Sequence, residues 1–125
     1  MKRSELREKS MITIYQNLLV NTDIDELIRD QFEMEPEKLD PYFHDVINTA
    51  ISHKDEYAGY IDRVLEGWTF DQLGYIEKAI LLLGCSEFAQ KKVEAAVIID
   101  ECVELSKKYC DEDTYKLINR VLDVI

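Results

Sequence analysis

Apolar residues three and four apart recur along nearly the whole chain, and that spacing decides what it can become. Two prolines, four glycines and almost no period-two alternation leave little from which to build a sheet. An all-helical fold follows. The spacing predicts a first helix over about 4–19, with Met11, Ile14, Tyr15, Leu18 and Leu19 on one stripe, and a short second one over about 23–32 through Ile24, Leu27, Ile28 and Phe32. The stretch "EMEPEKLDP" is the clearest break, since Pro36 interrupts and Asp40 followed by Pro41 is a cap and first turn. Phe43, Val46, Ile47 and Ala50 then form a stripe that resumes as Tyr57, Tyr60, Ile61, Val64, Leu65 and Trp68, in one long helix or two that join near Ser52 to Lys54.

Beyond "EGWTFDQLG", Ile76, Ile80, Leu83 and Phe88 face one way while Ala79 and Leu82 widen the apolar arc, which predicts a central helix covered from several sides. Ala95, Ile98, Ile99, Cys102, Val103 and Ser106 carry the next helix to Tyr109. After "CDED", Asp113 is placed to cap a last helix whose stripe is Leu117, Ile118, Val121, Leu122 and Ile125, so a packed C-terminus is expected. Six or seven helices with short links make a compact bundle in two subdomains. Pro36 divides a smaller N-terminal layer, about 1–35, from the remainder, about 40–125.

With 125 residues, 46% of them hydrophobic, the chain suffices for one core and one domain. A formal charge of -11 repels nucleic acid except at a basic patch set apart from the rest. The run "AILLLGC" is much too short to cross a bilayer, and no apolar segment follows the charged start, so a cytoplasmic protein with no membrane role is expected. Three cysteines without metal-finger spacing read as buried or half-buried free thiols.

Chemistry is sparse. His44 and His53 stand nine apart, two and a half helical turns, and point to opposite sides, so they share no metal. No HExxH, GxGxxG, GxxxxGK or Glu-x-x-His motif occurs, which argues against an enzyme, a cofactor or a di-iron bundle. Asp100 and Glu104 share a helix face with Lys107 and Lys108 nearby. These acids, with Glu101, read either as a solvated edge or as a tie in which one carboxylate turns inward to a neighbouring helix or a partner. The basic cluster is N-terminal: Lys2, Arg3, Arg7 and Lys9 against Glu5 and Glu8 give residues 1–9 a net +2. Lys116 and Arg120 repeat the four-residue spacing on the last helix. If the two ends meet, these cations form a strip for phosphates, with Tyr115 able to stack on a base. Residues 23–45 carry -7, either a soluble face or a docking surface for a basic protein.

Four segments in order, "REKSMITIY" from Arg7, "EKAILLLGCSEF" from Glu77, "VIIDECVELSKKY" from Val97 and "KLINRVLDVI" from Lys116, resemble the transcription antitermination factor NusB family. The resemblance implies a bundle of about seven helices in two subdomains, with no enzymatic activity. It also implies binding of single-stranded boxA RNA together with a basic small ribosomal-subunit protein, in a complex that joins elongating RNA polymerase at ribosomal RNA operons. Relatives include monomers and dimers, so a homodimer stays open.

By resemblance Arg7, Arg3, Asp113 and Leu117 stand where the family touches RNA. Lys9, Lys116 and Arg120 extend that surface, and Glu77, Asp100, Glu101 and Glu104 are candidates for the partner. Several departures thin the RNA surface. Ser4 and Glu5 stand where arginines are common, Leu117 where an aromatic could stack, and Arg120 where the family has glycine; Asp100 and Glu94 add acid. The expectation is weak binding of RNA alone, with the basic partner supplying charge. The alternative is a helical adaptor of the same fold that has lost RNA and acts through protein contacts.

Overall fold

Seven α-helices and no strand form from these residues: α1 Arg3–Val20, α2 Ile24–Phe32, α3 Pro41–Ser52, α4 Lys54–Val64, α5 Tyr75–Gln90, α6 Ala95–Tyr109 and α7 Thr114–Val124. The computed structural model describes every residue, Met1–Ile125. Pro36–Lys38 and Phe70–Gln72 are single 3-10 turns. At Asp40 the side chain accepts the Tyr42 N–H at 2.9 Å, and Pro41 occupies the first turn, where its missing N–H costs nothing. The expected junction between Ser52 and Lys54 falls on His53, which ends α3 and starts α4.

The widest apolar arc does produce the central helix. Nine consecutive residues of α5, Ala79 to Glu87, are buried, and α5 packs against α1, α3, α4, α6 and α7. Closest approach to α7 occurs at Gly84, where a Cβ would lie 2.8 Å from a Leu122 methyl. One core draws on all seven helices, from Met11 and Ile14 of α1 to Ile118, Val121 and Leu122 of α7, and it is continuous across Pro36. No helix is long and apolar enough to cross a membrane. Cys85 and Cys102 are buried and Cys110 half-buried, all three free; burial pushes the Cys85 thiol up to about 12.

Four expectations are corrected. Leu19 is 47% exposed because α1 reaches solvent in its last turn. Trp68 does not continue the α4 stripe: Leu65 leaves the helix with ψ 137°, Gly67 takes φ 77°, and Trp68 stands exposed on the connector. The last helix is packed only through Leu122, since Val124 and Ile125 are exposed. Finally, Asp113 occupies the cap position of α7 without capping it. Its backbone is already helical (φ -97°, ψ -4°), which turns the carboxylate away from the free N–H groups.

Candidate nucleic-acid and partner interface

The expected basic strip across both chain ends is not assembled. Arg7 is 3% exposed; its Nε donates to Glu87 Oε2 at 2.7 Å and its Nη2 to Glu87 Oε1 at 2.8 Å, and Nη1 lies 3.8 Å from Glu101. Tyr42 donates its hydroxyl to the same Glu87 at 2.7 Å. Burial works against the charge on Arg7, yet the hydrogen bonds and charge of Glu87 outweigh it and hold the guanidinium above its ordinary value. Burial, then the bond to Glu87, raises the Tyr42 phenol as well, so it stays a donor. Arg7 is thus an internal tie between α1 and α5 and presents nothing to RNA. The physical reason is that Glu87 needs a cation where it stands, fully buried on the central helix.

The remaining cations of α1 point elsewhere. Arg3 lies 3.8 Å from Asp40 and about 5 Å from the rings of Tyr42 and Phe43, with half of its side chain in solvent. Lys9 donates to the Gln31 carbonyl of α2 at 3.2 Å. Since α1 packs on α2, α3 and α5 while α7 packs on α4, α5 and α6, the central helix α5 stands between the two ends of the chain.

The α6 acids divide. Glu101 is the one turned inward, toward Arg7, whereas Glu104 pairs with Lys107 at 3.6 Å and Asp100 is exposed. Lys108 reaches across to Glu8 of α1 at 2.7 Å, and Tyr109 donates to the same carboxylate. Those two bonds, from Lys108 first and Tyr109 second, hold the Glu8 carboxyl below its usual value. Lys107 lies 5.0 Å from the Tyr115 ring, covering the face that could have stacked on a base.

The largest open feature is a groove of about 770 Å³ where the α4–α5 connector, the start of α5 and the start of α7 converge. Glu66 and Trp68 come from the connector, Glu77 from α5, Asp111, Glu112 and Asp113 from the α6–α7 link, and Leu117 and Arg120 from α7. Five carboxylates therefore face a single guanidinium. Lys116, on the outer side of α7, pairs with Asp113 at 3.5 Å and stays two-thirds exposed.

The structure therefore brings Glu77, Asp113, Leu117 and Arg120 together. It separates them from Glu101 and Glu104, which line a second pocket with Ser4 and Glu8 of α1, and from Arg3 and Lys9; Asp100 is exposed on α6 and lines neither. Glu87 escaped sequence reasoning, although a carboxylate inside an apolar run was its signal; Trp68 was read as the end of an apolar stripe, although the glycine immediately before it marks the turn.

A central helix packed against five of the six others, with a charged groove at one end, defines an all-helical bundle protein. The chain belongs to the NusB family, whose model matches residues 4–125. The transcription antitermination protein NusB of Exiguobacterium sp. is 32% identical over 98% of this chain and 94% of that protein. NusB of Bacillus subtilis is 29% identical over 100% of this chain and 95% of its own. A solved structure of the antitermination factors NusB and NusE in complex with double-stranded RNA matches with a TM-score of 0.83 and 28% identity, covering 98% of this chain and 93% of the other.

Proposed function

We propose that this chain is a cytoplasmic RNA-binding transcription antitermination factor without a reaction of its own. It binds single-stranded boxA-like RNA together with a basic small ribosomal-subunit protein and acts on elongating RNA polymerase at ribosomal RNA operons. One observation carries the reading. Asp113 and Leu117, the positions that the resemblance matches to RNA contact, and Glu77, the candidate for the partner, line one groove, which supports a reading in which both ligands meet at the same end of the bundle. Arg120 in that groove and Lys116 beside it supply the charge for phosphates, while Arg3 and Lys9 contribute from a separate face. The partner's cations meet Glu66, Glu77, Asp111 and Glu112.

The test is a titration of labelled boxA RNA with the protein, alone and with the ribosomal partner, at several salt concentrations. RNA alone should bind weakly, with log affinity falling by about 0.7 per phosphate contact for each tenfold rise in salt. The partner should tighten binding by about tenfold or more, which corresponds to about 1.4 kcal/mol. Equal affinity with and without partner overturns the shared-groove arrangement. The burial of Arg7 favours one second reading, an adaptor of this fold that binds the partner and leaves RNA free.

A further inference from the structure

Trp68 is the only tryptophan in the chain and is 58% exposed. A ring of that size beside carboxylates is an unusual thing to leave in water. Its setting becomes clear from the other exposed aromatic rings. Tyr60 has Arg63 at 5.9 Å, Tyr75 has Lys78 at 4.8 Å and Tyr109 has Lys108 at 5.5 Å. Half-buried Tyr115 has Lys107 at 5.0 Å. Each is covered by a lysine or arginine of its own chain. Trp68, whose indole is the strongest such acceptor, is the exception. Arg120 lines the same groove but does not lie over it.

The groove around the indole carries Glu66, Glu77, Asp111 and Glu112. Negative charge and an open aromatic face together select a cation. We infer that Trp68 is the anchor for a lysine or arginine side chain of the basic partner protein, whose charge lies over the indole and against the carboxylates of the same groove. This rests on the proposed function and assigns its partner a point of attachment. A nucleobase could also lie flat on an indole, but the groove offers one cation, Arg120, for a phosphate against five carboxylates, so at the indole itself a cationic side chain is the better-matched occupant even where RNA reaches Arg120. The connector suits the role. Gly67, at φ 77°, turns the chain so that the ring stands clear of α4, and the buried neighbours Leu65 and Phe70 fix both ends of the short loop. An aromatic anchor with a rigid base and an acidic surround is the arrangement found at energetic centres of protein interfaces.

A lone tryptophan is also its own reporter. Purified ribosomal partner, added to the full-length protein without RNA, should change the Trp68 emission saturably, at the same concentration at which calorimetry detects the complex. Trp68→Ala should weaken the partner about thirtyfold or more, as truncation of an interface anchor does, while Trp68→Phe, which keeps a weaker aromatic face, should lose clearly less. Glu77→Gln should weaken it several-fold and reduce the salt dependence of binding. Calorimetric binding with unmoved emission and an unaffected Trp68→Ala variant overturns the inference and leaves the proposed function standing. No binding of the partner at all overturns both. Emission that responds to boxA RNA alone and not to the partner overturns it in favour of base stacking. Circular dichroism of Trp68→Ala, expected to match the parent because the ring is exposed, separates lost docking from lost folding.

Discussion

Arg7 and Glu87, eighty residues apart in sequence, meet through two parallel hydrogen bonds of 2.7 and 2.8 Å in the interior of the bundle. The pair turns an opening arginine from a surface cation into part of the core, and Tyr42 completes the site by donating to the same carboxylate.

Removing one partner strands the other charge. Glu87→Ala leaves the buried guanidinium without its carboxylate, and stability to urea should fall by about 3 to 5 kcal/mol, the usual result of breaking a buried ion pair. Arg7→Glu, which sets a third carboxylate beside Glu87 and Glu101, should be at least as damaging. The double replacement Arg7→Met with Glu87→Leu should recover most of the loss, because neither charge is then stranded. Denaturant midpoints of the three variants give the comparison, and a loss under about 1 kcal/mol for Glu87→Ala would contradict the assignment of a buried pair.

Two aspartates at helix starts should behave differently. Asp40 accepts the Tyr42 N–H, so Asp40→Ala should cost about 1 kcal/mol. Asp113 makes no such bond and only an exposed contact with Lys116, so Asp113→Ala should change stability by no more than about 0.5 kcal/mol. Thermal melts of the two variants side by side decide it; equal losses would mean that Asp113 caps α7 in solution.

The Glu8 link between α1 and α6 should give a pH signature. Its carboxyl titrates below the unfolded value of 4.5 in the folded protein, so the contribution is fully present above pH 4.5 and is lost as pH falls through the lower folded value. Tyr109, pushed up to about 12 by burial and then by Glu8, remains a donor throughout. Relative to Glu8→Gln, the parent should therefore be more stable at neutral pH, and the difference should shrink with acid. The link is partly exposed and its effect small. A gap between the two melting temperatures that widens toward low pH would show the sign to be wrong.

Local signals were legible in the sequence where one segment sufficed. Asp40 with Pro41 and the wide arc of α5 each express backbone or burial rules that act within a few residues, and both reappear in the fold, while of the one helix or two that the sequence allowed across Ser52 to Lys54 the fold takes two. Arg7 was misplaced because its spacing to Arg3 says nothing about a carboxylate eighty residues on. Only the strain of Glu87 among leucines and a cysteine hinted that a cation had to come inward. Trp68 continued an apolar rhythm that the backbone had already abandoned at Leu65, because three- and four-residue spacing persists by chance into a turn. The groove joins two connectors and two helices distant in sequence, and no single segment could announce it.

An arginine folded inward also shapes which company the protein keeps. On the proposed function, a surface this anionic gives stray transcripts and other polyanions little to hold, so the protein is not titrated away by the bulk of cellular nucleic acid. Selectivity then begins with exclusion, and a particular transcript is approached as half of a pair.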